Sequence, residues 1–347
     1  MSDEPRQLEV ALLAVPEVSA STLYGMLDML SSAGRDYSFI TKGVPGVQRI
    51  RPVVVSRRRD TFQASNGVLI HPDASLGECI APDIVCIPDF FCVPGSSVAN
   101  RFDDEIAWLR RCHAGGAVMS SACSGAVLLA EASLLDGLEA TIHWGYVEAL
   151  TSHYPRVKVS PAKALVTSGE GHRIIVAGGG MSWQDLALHL IARFVGVQEA
   201  IEVARVYVVA WHDAGQLPYS SLVMSQPSSD AVISECQIWL ADNYARHAPV
   251  AKMAAKSGLS ERSLARRFRK ATGYGPLDYV HALRLEEAKQ LLERTQLGID
   301  AVGEEVGYEE PSFFRRLFRR KVGITPAAYR RRFGGLRASW NLRHTVT

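Results

Sequence analysis

The sequence predicts two domains of different class: an α/β domain with a parallel sheet, then an all-α domain with two helix-turn-helix motifs. Three observations support this prediction. Short apolar runs alternate with helical stretches in the first part of the chain. One sequence pattern typical of helices occurs twice between Val250 and Phe333. Between the two regions lies a polar segment rich in glycine, proline and serine, a composition typical of a linker.

Continuously apolar runs in the first region predict buried strands. The predicted strands are Val10–Val15, Asp83–Pro88, Ala117–Ser121 and Arg173–Ala177, and the predicted helices are Thr22–Ala33, Asp103–His113 and Val127–Ala132. Apolar strands that alternate with helices are typical of a parallel sheet covered on both faces. Ligands of such sheets bind beyond the carboxyl ends of the strands.

The second region repeats one pattern at a spacing of 50 residues. Arg266-Arg267-Phe268 recurs as Arg316-Leu317-Phe318, and Gly273, Pro276 and Tyr279 recur as Gly323, Pro326 and Tyr329. Upstream the spacing becomes 49, since Gly258 is matched by Gly307. Each copy therefore predicts two helices joined by a turn, in which the glycine is free to adopt a positive φ.

The second helix of each copy is predicted to be amphipathic and basic. Ser260 is expected to cap the helix Glu261–Ala271, which buries Leu264 and Phe268. The matching helix, from about Glu310 to Lys321, buries Phe318 and either Phe313 or Phe314. The outer faces carry Arg262, Arg266, Arg267, Arg269 and Lys270 in one copy, and Arg315, Arg316, Arg319, Arg320 and Lys321 in the other. Such helices fit the DNA major groove, and the helical run Pro276–Arg294 would set them one turn, about 34 Å, apart.

The charge distribution agrees with nucleic-acid binding. From Ile233 to Thr347 there are 21 basic and 12 acidic side chains, a net charge of +9. The rest of the chain keeps 17 of the 38 basic and 24 of the 36 acidic residues, a net charge of −7. A basic end in a near-neutral chain is the electrostatic signature of phosphate binding. A single charged run is also typical of a solvated helix face, but the repetition argues against that interpretation.

These residues closely resemble the AraC-type DNA-binding domain, above all in Leu264–Gly273 and Gly323–Phe333. The resemblance implies double-stranded operator DNA as a partner. It implies that base edges are faced by Arg262, Arg266, Ser312 and Arg316. It assigns phosphate contacts or local salt bridges to Arg267, Arg269, Lys270, Arg315, Arg319 and Arg320, and Ser260 and Ser263 complete the predicted DNA-binding set. Glu309 and Glu310 suit the helix dipole but repel phosphate, so we expect the second helix to read DNA less tightly.

Composition excludes several other classes of protein. Six scattered cysteines without a CxxC or His/Cys cluster argue against a disulfide framework and a metal site. Met1–Gln7 is polar and the apolar run Val10–Pro16 is short, so we expect no signal peptide. No run approaches the roughly 18 apolar residues that a membrane span needs. We expect a cytoplasmic protein without a cofactor.

A cysteine stands at the end of one predicted strand. Ser120–Ala126 runs from the strand into the next helix, and its small residues permit a sharp turn that exposes Cys123. A helix N-terminus there would lower the pKa of the thiol. Thr141-Ile142-His143-Trp144 follows twenty residues later. A buried structural cysteine is the commoner case.

The first region resembles the ThiJ/PfpI branch of the class I glutamine amidotransferase-like fold, a flavodoxin-like parallel sheet sandwich. The matching runs are Ser121–Gly125, Leu128–Gly137, Thr141–Trp144 and Asp185–Ile191. In enzymes of this fold the cysteine is a nucleophile and the histidine its partner, so Cys123 and His143 inherit these positions. The loop 88–92 lacks the paired glycines that present an oxyanion-binding amide, and Glu17 lies in a loop rather than in the first helix.

These departures predict a sensor rather than an enzyme. The predicted ligand-binding residues are Glu17, Phe90, Phe91, Cys123, Ser124, His143 and Trp144, in which the aromatic side chains suit an apolar or cationic ligand. For each aromatic residue, plain core packing is an equally good interpretation. The predicted domains are 1–212 for sensing, 213–230 as linker, 231–334 for DNA binding and 335–347 as tail. Asp230 is expected to cap the first helix of the DNA-binding domain, Ala231–Ala245, whose Ile233, Ile238, Trp239 and Leu240 are expected in the core of that domain.

The expected function is that of a one-component transcriptional regulator. By resemblance it activates catabolic genes, responds to an amino acid, amine or betaine, and acts with RNA polymerase. A homodimer is expected because two DNA-binding domains on one operator gain effective concentration. Two alternatives remain open: a Cys123–His143 amide hydrolase fused to a DNA-binding domain, and a redox sensor in which Cys123 is oxidised.

Overall fold

A computed structural model describes residues 6–222 and 228–334 and divides the chain into two compact units, Met1–Gln216 and Leu217–Thr347. Residues 223–227 of the predicted linker and the predicted tail 335–347 lie outside the described residues. Within the described ranges, no helix is long and apolar enough to cross a membrane.

The first unit is built around a sheet of seven strands. The strands of this unit are β1 (Leu8–Leu13), β2 (Ile50–Ser56), β3 (Phe62–Gln63), β4 (Leu69–Ile70), β5 (Ala74–Ser75), β6 (Ile84–Ile87), β7 (Val118–Ala122), β8 (Glu139–Ala140), β9 (Lys158–Val159), β10 (Leu165–Ser168) and β11 (Ile174–Ala177). The sheet order is β10-β11-β7-β6-β1-β2-β5, and only the pair β10–β11 is antiparallel. β3 pairs with β4, and β8 with β9, in two small separate sheets.

Seven α-helices surround this sheet. They are α1 (Ala20–Ser32), α2 (Asp36–Lys42), α3 (Asp103–Ala114), α4 (Ala126–Glu131), α5 (Val147–His153), α6 (Trp183–Phe194) and α7 (Val197–Tyr207). Every residue of β6, β7 and β11 is buried, as expected for strands that are covered on both faces. The predicted flavodoxin-like parallel α/β fold is confirmed.

The second unit is all-helical and has two small cores. Its helices are α8 (Ala231–Asn243), α9 (Pro249–Ser257), α10 (Glu261–Thr272), α11 (Pro276–Arg294), α12 (Ile299–Glu305), α13 (Pro311–Val322) and α14 (Pro326–Tyr329), followed by a π-helical turn, Arg330–Gly334. One core is centred on Leu264 and Phe268, and the other on Phe314 and Phe318. Helix α11 contributes Val280 to the first core and Leu285 to the second, so it joins the two helix-turn-helix motifs.

The two turns differ by the one inserted residue that the repeat predicts. Two residues, Leu259 and Ser260, separate Gly258 from α10, whereas three separate Gly307 from α13. Gly258 and Gly307 both have positive φ, +67° and +91°. A Cβ at Gly307 would lie 2.3 Å from the carbonyl oxygen of Ala245, whereas one at Gly258 would meet nothing within 4 Å.

The structure corrects one predicted core position and describes parts of the predicted linker. Ile238 was expected in the core of the DNA-binding domain but is 62% exposed. It lies on the side of α8 opposite to the buried Ile233 and Leu240. Within the segment 213–230, Gln216 is buried in the first unit, where its Nε2 donates to Ile142 O at 2.9 Å. Leu222 donates its N–H to Glu286 of α11 at 2.7 Å, in the second unit.

Candidate ligand site and nucleic-acid interface

The candidate ligand site lies at the carboxyl ends of β1, β6 and β7. The chain leaves β1 towards β2 on one side and later continues to β6 and β7 on the other, so the crevice between β1 and β6 is the topological switch point of the sheet. The loops that follow these two strands are tied together. Ser19 N donates to Asp89 O at 2.9 Å, Phe91 N donates to Glu17 O at 2.7 Å, and Val18 forms a β-bridge with Phe90.

Cys123 occupies a strained elbow directly after β7. Its φ is +53°, a value that non-glycine residues rarely adopt. Gly125 makes the turn possible, because a Cβ there would lie 2.4 Å from the carbonyl oxygen of Ile87. The predicted sharp turn at this strand end is therefore present. The Cys123 side chain is nearly buried, with the residue 7% exposed.

The electrostatic environment of Cys123 is the opposite of the one predicted. Burial, and then the nearby carboxylate of Asp89, raise the pKa of the thiol to about 12. The expectation of a lowered pKa was wrong because desolvation and a like charge both disfavour the thiolate. The helical turn that starts at Cys123 is only three residues long and leads into the six-residue α4.

Asp89 is a site residue that the sequence prediction missed. It follows β6 by two positions, and burial raises the pKa of its carboxyl group. A hydrogen bond from Thr22 and the nearby His143 oppose this rise. Its Oδ1 is buried and has no hydrogen-bond partner among the described residues. An unpaired buried acceptor costs free energy, so Asp89 is suited to a ligand that brings a donor.

His143 faces this carboxylate but does not form a hydrogen bond with Cys123 in the described part of the chain. Burial lowers the pKa of the imidazole, and Asp89 partly offsets this effect. Its Nδ1 accepts the N–H of Gly145 at 3.1 Å. A neutral ring with that acceptor carries its proton on Nε2, so it presents a donor. Tyr146 packs edge-on against His143 and donates its hydroxyl to Cys92 O at 2.7 Å.

The other predicted ligand residues are divided between the core and the surface. Phe90 is 2% exposed and packs edge-on against Phe102 at 5.5 Å, so for this residue core packing is the correct interpretation. The buried Ser124 hydroxyl accepts the N–H of Phe90 and donates to its carbonyl, which fixes the loop. Phe91 is 72% exposed and Trp144 lies partly exposed.

Glu17 lies beside the same crevice. Its carboxylate forms an ion pair with Arg101 through Oε1, while its Oε2 is buried without a hydrogen-bond partner in the described ranges. The structure thus places two incompletely paired carboxylates, Glu17 and Asp89, on loops that are hydrogen-bonded to each other.

The first candidate DNA-reading helix is α10. Ser260 caps it, since its hydroxyl oxygen accepts the N–H of Ser263 at 3.3 Å. Arg262, Arg266 and Lys270 are exposed at spacings of four residues, so they form one stripe. None of these three side chains has an ion-pair partner within the described residues.

Arg267, in contrast, is occupied inside the second unit. Its guanidinium donates two hydrogen bonds to Asp230, at 2.7 and 2.9 Å. Asp230 is also the cap of α8, as predicted, since its carboxylate accepts the N–H groups of Val232 and Ile233. Of the two roles that the resemblance implies for Arg267, phosphate contact or local salt bridge, the structure contains the salt bridge.

The second candidate DNA-reading helix, α13, has its cations partly neutralised. Arg315 pairs with Asp300 of α12 at 2.5 Å. Arg316 donates to the Ser312 hydroxyl at 3.2 Å and lies 4.0 Å from the Glu310 carboxylate. Arg319 is exposed and has no ion pair among the described side chains. Phe314 is buried, whereas Phe313 is 37% exposed. Of the two phenylalanines that the sequence left open as the buried one, it is therefore Phe314.

Helix α11 carries two buried cations, Arg284 and Lys289. Arg284 donates to the carbonyl oxygens of Tyr244 and Arg246, at 2.8 and 3.1 Å, and lies over the ring of Tyr308. Lys289 donates to Ser220 O at 2.8 Å. Arg284 thereby satisfies carbonyl oxygens just after α8, and Lys289 satisfies a carbonyl oxygen in the segment that precedes α8. Sequence periodicity does not identify Arg284 and Lys289 as buried, because lysine and arginine in a helix are usually exposed.

Comparison with known proteins gives matches to both units. The DJ-1/PfpI family matches residues 10–185, and a helix-turn-helix domain family matches residues 253–332. The HTH-type transcriptional regulator CdhR of Pseudomonas aeruginosa is 30% identical over 274 residues, 76% of each chain. The regulator GlxA of Rhizobium meliloti is 31% identical over 65% of this chain and 69% of its own length. An isonitrile hydratase of Pseudomonas putida is 28% identical over 56% of this chain and 75% of that enzyme.

Proposed function

The chain belongs to the DJ-1/PfpI family and, through its AraC-type helix-turn-helix domain, to the HTH-type transcriptional regulators, and from this premise we propose how it binds DNA and what it senses. It is a DNA-binding transcriptional regulator. The sites through which it reads DNA and binds its effector are the subject of the proposal.

In the proposed DNA complex, α10 and α13 lie in successive major grooves of the operator. Arg262 and Arg266 donate to base edges, and Lys270 binds the phosphate backbone at the far end of the same stripe. The exposed stripe of three cations with no carboxylate partner in the described chain carries this proposal. An unpaired cation keeps its full charge for DNA, whereas Arg267 would first have to release Asp230.

The proposed effector is a small metabolite with a protonated nitrogen, bound at the crevice between β1 and β6. The observation that carries this proposal is the buried Oδ1 of Asp89, which has no donor in the described structure. An ammonium or guanidinium group would supply both the missing hydrogen bond and a compensating charge. A quaternary amine has no N–H, so this acceptor favours amino acids and primary amines over betaines.

Binding rather than catalysis is proposed because the nucleophile and base are not prepared for reaction. Burial raises the pKa of the Cys123 thiol to about 12, so the reactive thiolate is disfavoured at neutral pH. The Nδ1 atom of His143 accepts the N–H of Gly145, so this nitrogen is not free to act as a base. The same thiol pKa disfavours a redox switch at Cys123. The similarity to a hydratase makes an enzyme the second candidate.

The proposal includes the chain's setting and partners. The regulator acts in the cytoplasm as a homodimer, contacts RNA polymerase and activates genes for breakdown of its effector. Effector binding must favour one arrangement of the protein over another, and only that difference in affinity can change DNA binding.

A thermal-shift screen of the full chain against amino acids, amines and betaines tests the effector proposal. A ligand at 100 times its dissociation constant adds about 2.7 kcal/mol, which is roughly 5–10 °C for a unit of this size. We expect the shift to disappear in Asp89→Asn and to persist in Cys123→Ser. Recovery of a chemically altered ligand would support the enzyme instead, and the absence of any hit from the panel would overturn the sensor.

A further inference from the structure

The two recognition helices begin with different kinds of residue. At the start of α10, the Ser260 hydroxyl accepts the N–H of Ser263 and so caps the helix. At the start of α13 the equivalent position is Glu310, whose side chain makes no capping hydrogen bond. A residue at a cap position that does not cap has its side chain free for another partner.

The Glu310 carboxylate instead belongs to a small network on the outer face of α13. The Ser312 hydroxyl donates to it, and Arg316 donates to the Ser312 hydroxyl at 3.2 Å. Arg316 Nη2 lies 4.0 Å from Glu310 Oε1, and both side chains are 68% exposed. These three residues occupy the first turns of the helix, and the N-terminal residues of a recognition helix are the ones that contact base edges.

A carboxylate in this place is unfavourable near DNA unless a donor meets it. Phosphates repel it, and an exposed ion pair with Arg316 contributes little. In the major groove the exocyclic amino groups are donors, whereas guanine O6 and thymine O4 are acceptors that a carboxylate rejects. Glutamate therefore gains from cytosine N4, whereas at adenine the N6 donor lies beside the N7 acceptor, and guanine and thymine present acceptors that repel the carboxylate.

We propose that Glu310 is a specificity-determining residue, which accepts a hydrogen bond from a cytosine N4 amino group while Arg316 donates to guanine. Ser312 links the two side chains, because its hydroxyl donates to the Glu310 carboxylate and accepts from Arg316. The inference rests on the proposed placement of α13 in the major groove. It assigns to α13 a carboxylate that reads a base, in addition to the cationic base contacts proposed for α10.

The neighbouring Glu309 provides a matched control. It is one residue earlier, exposed, and takes no part in the network of Glu310, Ser312 and Arg316 within the described structure. Glu309→Gln removes the same charge at nearly the same distance from the DNA. Both neutralisations should raise affinity for unspecific DNA by a similar factor, so a difference between them isolates hydrogen bonding to a base.

The test is selection from a randomised DNA library by the full chain, with the wild type, Glu310→Gln, Glu310→Ser and Glu309→Gln in parallel. In Glu310→Ser we expect the preference for cytosine at one position of the wild-type site to fall at least about fivefold, which corresponds to about 1 kcal/mol. In Glu310→Gln that position should shift towards adenine, which glutamine reads through N6 and N7. Glu309→Gln should keep the wild-type preferences.

Glu310→Ser introduces the residue type that caps α10, so we expect the start of α13 to gain a capping hydrogen bond in this variant. Unchanged base preferences in both Glu310 variants, with only a general rise in affinity like that of Glu309→Gln, would overturn the inference. Loss of preference at every position together with a lowered unfolding midpoint would overturn it as well, because Glu310 would then act on the stability of α13 and not on a base. If the wild type itself enriches no sequence, the proposed DNA reading fails rather than the role of Glu310.

Discussion

Replacement of Arg266 by alanine is expected to weaken binding to the preferred operator by about 5- to 150-fold. This range corresponds to the roughly 1–3 kcal/mol that a bidentate contact to guanine contributes. Arg266 lies exposed in the stripe of Arg262, Arg266 and Lys270 and has no ion pair within the described residues, so no rearrangement inside the protein offsets the loss. Preference at one base pair should relax, while the unfolding midpoint stays unchanged.

Two neighbours on α10 serve as internal controls. Lys270→Ala should weaken all DNA sequences alike and lower the slope of log affinity against log salt by about 1. Between 50 and 200 mM salt, one phosphate contact changes affinity by about 3.5-fold, and this part of the salt dependence should disappear. Arg267→Ala should change DNA affinity least, because its two hydrogen bonds to Asp230 belong to the fold. It should instead lower thermal stability slightly.

The assay is a fluorescence-anisotropy titration of each variant with the selected operator and with a scrambled duplex, at several salt concentrations. The ratio of the two affinities measures specificity, and the salt slope measures phosphate contacts. Arg266→Ala behaving like Lys270→Ala would refute the placement of α10. A loss of base preference in Arg267→Ala would refute the argument that the Asp230 ion pair keeps this arginine from the DNA.

Three further predictions follow from local geometry. Gly307→Ala should lower the free energy of unfolding, measured in urea, by about 2–5 kcal/mol. The positive φ costs about 1–2 kcal/mol, and the new Cβ would clash with the carbonyl oxygen of Ala245, 2.3 Å away. Gly258→Ala is the control, because it should show only the cost of the positive φ. Burial raises the pKa of Asp89, so folding stability should fall as pH rises through that pKa. This fall should be absent from a pH series of unfolding midpoints of Asp89→Asn. Native protein should resist iodoacetamide at Cys123 at pH 8 by mass spectrometry, because the pKa of the thiol is raised to about 12.

Periodicity predicted the strands β1, β6, β7 and β11, the helices α1, α3 and α4, and the helices of both helix-turn-helix motifs, but it did not predict β2, β10 or the helices α2, α5, α6 and α7. The strand predicted at Asp83–Pro88 is observed at Ile84–Ile87, and the helix predicted at Glu261–Ala271 extends by one residue. These elements follow local rules, apolar runs for buried strands and a serine cap with a closing glycine for the helix. Ile238 was predicted wrongly because an apolar residue in an amphipathic helix need not face the core.

The chemistry of the candidate ligand site was less accessible from the sequence. Cys123 and His143 stand in recognisable runs, but Asp89 is a single acidic residue after a strand and carries no motif. Its significance comes from burial and from an unpartnered oxygen, both of which depend on α1 and on the loop that holds His143. The predicted direction of the thiol pKa was wrong for the same reason: the helix start is local, whereas desolvation and Asp89 are not.

The repeat shows how far a sequence position determines a role. Positions that match at a spacing of 50 have the same helix and the same outer face, yet their cations have different partners. Arg266 has no carboxylate partner among the described residues, whereas the matching Arg316 shares a network with Glu310. Since a paired cation contributes less to phosphate attraction and more to directed hydrogen bonding, α10 should supply most of the affinity. Helix α13 should add the selectivity of Glu310 to the base contacts of Arg262 and Arg266, so substitutions of Glu310 are expected to change which sequences are bound more than how tightly DNA is held.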